Sequence, residues 1–384
     1  MENRSSYERI STGKHQLGPY PMEKLKRVEQ PTTRITANVQ RVDERESGFN
    51  RARLGDFGPV AERECRRFVM KEPISAAQRD MISHIASIVD SEVASSKPPI
   101  PEDPEVLSRH IKSLGYFLGA DIIGICRLPQ YAVYSHSRDG KPVELDHQFA
   151  IVVVVDQDFT TMNGSTGSDW ISGSQSMRGY SNDGFITSIM ANYIRRLGYP
   201  AGAHFSGHYQ VVVPPLLLLA GIGEMCRLGN SVLNPFLGTR FKAGAVTTAL
   251  PLLPDKPVVF GLQEFCQKCQ KCAVECPSRA ISTGDKVMHN GYETWELDVE
   301  RCAKFRITNQ SGNVCGRCIK VCPWNKPEGW THDMVRWMVQ HTPFLDKLII
   351  KMDDIWGYGK QNKKDKWWFD LEEIDGVLQT PAKK

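Results

Sequence analysis

Eight of the eleven cysteines fall between residues 266 and 322, in two short repeats of the kind that hold iron and sulfide. The first repeat is Cys266-x2-Cys269-x2-Cys272-x3-Cys276-Pro277, in which three close thiolates ligate one four-iron, four-sulfur (4Fe–4S) cluster and the fourth reaches a second. Two-residue gaps suit this task because turns of that length aim several thiolates at one centre. The second repeat reads Gly312-x2-Cys315-x2-Cys318-x3-Cys322-Pro323, with glycine where a symmetric pair would carry cysteine. Cys302, ten residues upstream of Gly312, replaces it and restores eight ligands for two clusters. The crossover assigns Cys266, Cys269, Cys272 and Cys322 to cluster one, and Cys276, Cys302, Cys315 and Cys318 to cluster two. Zinc is the alternative reading, since C-x2-C pairs also bind zinc, but two successive C-x2-C-x3-C-P units fit zinc spacing poorly. Cys65, Cys126 and Cys226 read as ordinary core residues.

The elements that position this framework are legible in outline. A chain of 384 residues has room for a large core with an inserted module, and 41% hydrophobic and 24% charged residues describe an ordinary globular protein. The net charge of +4 gives no argument for a nucleic-acid or membrane surface. Residues 1–100 read as a polar arm followed by a helix over 76–93. Residues 101–260 read as an α/β core with helices at 105–118, 180–197 and 216–227 and strands at 121–126, 149–155 and 211–213. Residues 261–328 are the cysteine module, and 329–384, with five of the eight tryptophans including Trp367-Trp368, a segment packed on the core. The longest apolar run, 211–223, is interrupted by Pro214-Pro215 and falls short of a membrane span. The first twenty residues lack a leader pattern, and Arg66-Arg67-Phe68-Val69-Met70-Lys71, though like a twin-arginine core, has no apolar region behind it. A cytoplasmic protein is expected.

Two one-electron carriers need a terminal acceptor, and the module uses only about sixty residues. The remainder calls for a second cofactor or a substrate pocket. No G-x-G-x-x-G or G-x-x-x-x-G-K-[ST] loop is present, nor an Asp-x-His-x-x-Gly stretch of the kind that ligates cobalt.

The run Val213-Pro214-Pro215, Ala220-Gly221-Ile222-Gly223-Glu224, Arg227-x-Gly229, Gly238-Thr239-Arg240-Phe241-Lys242 and 247–257 (TTALPLLPDKP), leading into the cysteines, resembles the cobalamin-dependent reductive dehalogenases. The likeness extends to Gly357-Tyr358-Gly359 and covers about residues 100–370. It implies an α/β (α+β) fold: a nitroreductase-like core that buries base-off cobalamin, with an inserted bacterial ferredoxin-like module of two 4Fe–4S clusters. It implies reductive removal of halide from a small organohalide, with the proton from Tyr180, in Arg178-Gly179-Tyr180-Ser181, and Lys242 as its basic partner. Lysine at this position goes with phenolic substrates. Arg306 is placed to bind an anionic group, and His204 and His208 to line the pocket or touch the cofactor tail. No reductase domain follows residue 384, so an external donor of ferredoxin or flavodoxin type is expected. The alternatives are an epoxyqueuosine reductase-like enzyme and a cobalamin-free electron carrier.

Overall fold

The computed structural model describes residues 16–309, 314–366, 372–374 and 377–379. Gly312 and Trp367-Trp368 lie outside the described residues. The described part of the arm is not extended throughout, since Gly48–Arg53 and Pro59–Arg67 are helical; it is tied down where Lys26–Arg27 pairs antiparallel with Val258–Val259. Arg41 reaches across to donate to the carbonyls of Val133, Tyr134 and Val143.

Helix α1 (Pro73–Ile88) and helix α2 (Pro104–Phe117) follow, the second capped by Asp103, whose carboxylate accepts from the Glu105 and Val106 N–H groups. The central sheet contains β1 (Ile122–Arg127), β2 (Phe149–Asp156), β3 (Ala201–His204) and β4 (Phe241–Thr248). Its order is β1-β2-β4-β3, antiparallel throughout. The sequence of β2, FAIVVVVD, does not alternate because both faces of the strand are covered. Ile151, Val153 and Val155 enter one core with Ile123, Ile186, Met190 and Ile194, while Ala150, Val152 and Val154 enter a second with Leu216, Leu217 and Ile222. Each such fully buried aliphatic side chain contributes about 1.5–3 kcal/mol.

Helix α3 (Trp170–Arg196) starts ten residues before the expected Tyr180. Asp169 caps it by accepting from the Ser172 N–H, and Gly198, with φ +82°, ends it. It runs about 40 Å across the β4 and β3 side of the sheet. Phe185 is 52% exposed, and the buried stripe of the helix runs through Asp183, Thr187, Met190 and Ile194.

Two further expectations are corrected. Val211 makes only an isolated bridge to Val133, and the chain is already helical in α4 (Val213–Leu219), since Pro214 and Pro215 are accommodated in a first helical turn. That helix stops at Leu219 instead of continuing to Arg227, because Gly221 turns with φ +64° where a Cβ would overlap the Lys256 carbonyl at 2.3 Å.

The cysteine module contains α5 (Leu262–Cys269), α6 (Val299–Thr308) and α7 (Arg317–Lys320). Arg227 fastens it internally, donating to the carbonyls of Cys266, Gln267, Ser282 and Gly284 with its guanidinium over the Trp295 ring. Arg240 binds it to the sheet, through a two-point pair with Asp156 and a bond to Asn325 Oδ1 at 2.7 Å.

The tail forms α8 (Trp330–His341) and α9 (Asp346–Ile355). It reaches the module through Asp353, which pairs with both Lys271 and Lys326. The Gly357-Tyr358-Gly359 turn lies against it too, with the Lys326 ammonium 3.6 Å from the Tyr358 ring centroid. Among the described residues its tryptophans do not supply that packing: Trp330, Trp337 and Trp356 are 76%, 55% and 62% exposed. Among the described residues no helix is long and apolar enough to cross a membrane.

Candidate active site

A cavity of about 420 Å³ opens where α3, β4 and the cysteine module meet. The first half of α3 lines it with polar residues, Ser172, Gln175, Ser176 and then Tyr180; β4 adds Lys242, and α6 adds Cys302, Phe305 and Arg306. Tyr180, Lys242 and Arg306, far apart in sequence, are therefore brought to one space. The Lys242 ammonium lies 5.0 Å from the centroid of the Tyr180 ring. Gly179 makes this possible, since a Cβ there would stand 2.8 Å from Lys242 Cγ.

Arg306 stacks its guanidinium on Phe49, 4.6 Å from the ring centroid, and its buried Nε has no hydrogen-bond partner. Lys242 and Arg306 are the only charged side chains among the described residues lining the cavity, and both are cationic. An anion is the ligand such a lining favours.

Cys276, Cys302, Cys315 and Cys318 also line the cavity, whereas Cys266, Cys269, Cys272 and Cys322 do not. Cys318 is pushed up by burial and then by Cys315, Cys302 and Cys276, and Cys272 by burial and then by Cys322, Cys266, Cys318 and Cys269, so the two sets also act on each other. Thiols gathered so closely resist losing their protons until a cation shares them, which fits iron. At Cys276 burial works upward, but hydrogen bonds from Ser278 and the Ala280 N–H outweigh it and bring the thiol down. Among the described residues no three His, Cys, Asp or Glu side chains converge on a single-ion site. Cys226 is fully buried beside the first quartet and donates to the Ser231 carbonyl at 3.2 Å.

The two histidines are not brought to the cavity. His204 is in the core, its Nδ1 accepting from the Gln210 N–H and its Nε2 2.7 Å from Thr247 Oγ1. His208 stacks on Phe205. The strand position of His204 fixes this outcome: it is paired in register with Ala245, inside the sheet. The cavity is lined by no histidine at all among the described residues.

Sequence reasoning missed Gln157, Gln175, Thr239 and Tyr209. Gln157 Oε1, Gln175 Oε1 and Thr239 Oγ1 are buried, lack partners and line the cavity, so the wall carries unused hydrogen-bonding capacity. A ligand edged with amides fits that wall. Tyr209 donates to the Ala243 carbonyl at 3.1 Å, and burial, then Asp183, Tyr180 and Tyr134, hold its phenol well above the ordinary range. Only polar residues clustered inside an otherwise apolar run could have signalled these positions.

Residues 265–326 match the 4Fe-4S dicluster domain family. The tetrachloroethene reductive dehalogenase of Sulfurospirillum multivorans is 32% identical over 322 residues, 74% of this chain and 62% of that protein. A catabolic reductive dehalogenase, NpRdhA, solved in complex with 3-bromo-4-hydroxybenzoic acid, superposes with a TM-score of 0.90 at 44% identity, over 95% of this chain and 53% of that one. A reductive dehalogenase structure described as suggesting a mechanism for B12-dependent dehalogenation superposes with a TM-score of 0.91 at 43% identity, over 99% of this chain and 55% of that one. The chain thus spans between about half and three fifths of the length of these relatives.

Proposed function

The chain belongs to the reductive dehalogenase family, and on that premise we propose that it removes halide reductively from a small anionic aromatic, a halogenated phenol or hydroxybenzoate. The observation that carries the substrate class is the cavity's charge: Lys242 and Arg306, both positive, with no acid in the lining among the described residues. The likeness to a protein solved with 3-bromo-4-hydroxybenzoic acid supports it.

In this reading Arg306 takes the carboxylate or phenolate, through donors such as its unpartnered Nε. Tyr180 gives the proton that replaces halogen on carbon. The Lys242 ammonium stabilises the charge left on Tyr180. The apolar part of the lining, with Val211, Leu217 and Phe241, keeps water from competing for that proton. Bound cobalamin would supply the metal centre that breaks the carbon–halogen bond. The amide-seeking atoms of Gln157, Gln175 and Thr239 would hold the rim of the cofactor, taken up in its base-off form.

Cys276, Cys302, Cys315 and Cys318 would hold the cluster next to the substrate, and Cys266, Cys269, Cys272 and Cys322 the one behind it. The electrons come from an external ferredoxin- or flavodoxin-type donor in the cytoplasm.

The test is anaerobic reconstitution with iron, sulfide and hydroxocobalamin, followed by metal analysis, EPR and turnover of 3-bromo-4-hydroxybenzoic acid with a chemical reductant. About eight irons and one cobalt per chain, a Co(II) signal without nitrogen splitting, and release of bromide with 4-hydroxybenzoic acid are expected. Full iron with no retained cobalt would overturn the reading.

A further inference from the structure

Asp183 lies three residues beyond Tyr180 on α3, about one helical turn, and the chemistry described so far makes no use of it. Its side chain is 0% exposed, and neither carboxyl oxygen has a hydrogen-bond partner. Leaving a buried polar group unpaired costs about 1–3 kcal/mol, and more if it is charged. Such a group in a native fold calls for an explanation, and a catalytic role is one of the few available.

The seam between α3 and β4 is shaped to hold this carboxyl. A Cβ at Gly244 would stand 2.9 Å from the His204 carbonyl, 3.0 Å from Thr187 Cγ2 and 3.4 Å from Asp183 Oδ1, so only glycine leaves room there. Lys242, two residues earlier and on the same face of the strand, occupies the corresponding space under Gly179. The helix and strand thus meet through two successive gaps, one filled by the lysine stem and the other by the aspartate. The titratable groups facing Asp183 are Lys242 from β4 and Tyr209 from the chain after β3, with Tyr180 and Tyr134 beside Tyr209. Burial drives the Asp183 carboxyl well above the carboxylate range, and Lys242 is the cation drawing it back.

We propose, resting on the dehalogenase reading, that Asp183 is the proton reserve of Tyr180 and acts through Lys242. As the Tyr180 O–H breaks, a C–H bond forms on the substrate. A Lys242 N–H then breaks as the Tyr180 O–H re-forms, and the Asp183 O–H breaks as the Lys242 N–H re-forms. The relay ends with a carboxylate beside an ammonium, a paired state for a carboxyl that began unpaired. A solvent proton returns to Asp183 when product leaves, and no electron moves in these steps. The flexible four-carbon stem of lysine gives Lys242 the reach to serve both groups. Asp183 is a positioning residue in this scheme, since it meets neither substrate nor cofactor.

Two measurements test it. Infrared spectra of the full chain without substrate should show, at neutral pH, the carbonyl stretch of a neutral carboxylic acid that Asp183→Asn removes. The pH at which that band disappears should rise in Lys242→Met. An absent band, or one indifferent to Lys242, overturns the proposal without reference to turnover. With the cobalamin-loaded enzyme and 3-bromo-4-hydroxybenzoic acid, Asp183→Asn should lower kcat roughly 10- to 100-fold, leave KM unchanged, and alter the pH profile of kcat. Wild-type turnover matched by the variant in kcat and pH profile would sink the reserve and leave the dehalogenase standing. A wild type that fails to turn over would sink the dehalogenase, with the infrared result still deciding the state of Asp183. Should Asp183→Asn fail to fold, the Lys242→Met shift in the same band decides the question.

Discussion

The Lys242 ammonium lies over the face of the Tyr180 ring, 5.0 Å from its centroid, so the two side chains form one unit within the cavity wall. A cation so placed is worth about 0.5–2 kcal/mol to the ring. It is worth more to a phenolate that forms there. Lys242→Met keeps the stem and removes the charge. It should lower kcat about 100-fold, and Tyr180→Phe should lower it by roughly 100- to 10,000-fold. Both variants should retain wild-type iron and cobalt content, which distinguishes lost proton delivery from a damaged fold.

Gly179→Ala tests the same unit from behind. The added methyl would meet Lys242 Cγ at 2.8 Å and Cβ at 3.1 Å, near the root of the side chain, where it cannot swing clear. Overpacking of this kind costs about 1–3 kcal/mol. The stability loss should be accompanied by a fall in kcat approaching that of Lys242→Met, because the ammonium is moved off the ring. A variant destabilised yet fully active would show that the position of the lysine is unimportant.

Arg306 is predicted to govern binding more than rate. Its guanidinium rests on Phe49 and offers an unpartnered Nε, an arrangement suited to a carboxylate or phenolate. A charge-assisted hydrogen bond contributes about 1.5–3 kcal/mol. Arg306→Gln should therefore raise KM for a halogenated hydroxybenzoate about 10- to 100-fold. It should affect a neutral halogenated arene far less. Equal effects on both would mean that Arg306 serves the cluster beside it instead of the substrate.

The parts of this site that were legible are those whose spacing is imposed by local chemistry. A cluster needs thiolates a few residues apart, so the cysteine repeats declare themselves in the sequence, and residues 265–326 match a 4Fe-4S dicluster domain. The start of α3 was illegible for the opposite reason. Trp170–Gly179 is WISGSQSMRG, poor in strong helix formers, and it is buried on nearly every side, so no polar face marks a period. Asp183 stands in the buried stripe with Thr187, Met190 and Ile194 while Phe185 faces solvent, so apolar periodicity alone does not mark the inner face. Trp330, Trp337 and Trp356 misled because aromatic content was taken as packing, whereas an amphipathic tail can turn aromatic residues outward. The place of His204 depends on sheet register, which a single sequence does not reveal.

The division of cysteines between cavity-lining and remote sets predicts different consequences for their loss. Cys318→Ser removes a ligand proposed for the cluster at the cavity wall, and Cys272→Ser one from the cluster behind it. Each variant should lose about half of the iron if the assignments hold. Only Cys318→Ser should also perturb the EPR signal of bound cobalamin, since only that cluster borders the cavity. Rapid reduction of cobalt by a small chemical reductant should survive better in Cys272→Ser than in Cys318→Ser. Identical spectra from both variants would contradict the assignment of ligands.

His204 makes a prediction about stability that is independent of catalysis. Its Nδ1 accepts from the Gln210 N–H, so the neutral ring carries its proton on Nε2 and donates to Thr247 Oγ1; the threonine hydroxyl is then free to donate to His147 Nδ1, 2.8 Å away. A second proton would put a donor on Nδ1 against the Gln210 N–H. Burial, followed by His208 and His147, pushes the group down to about 3 from 6.5. The folded state therefore refuses a proton that the unfolded chain accepts. Above pH 6.5 neither state is charged at this residue and no penalty applies; between 6.5 and about 3 the unfolded state binds more protons, so stability falls as pH falls. The slope approaches about 1.4 kcal/mol per pH unit in the middle of that window. His204→Gln should be less stable than wild type at neutral pH, having lost a fitted pair of hydrogen bonds, and the gap should narrow as pH drops through 6 and 5. Urea unfolding of both proteins under anaerobic conditions over that range measures the difference, in which other titrating groups cancel. A gap that stays constant with pH would mean that His204 takes up its proton in the folded state.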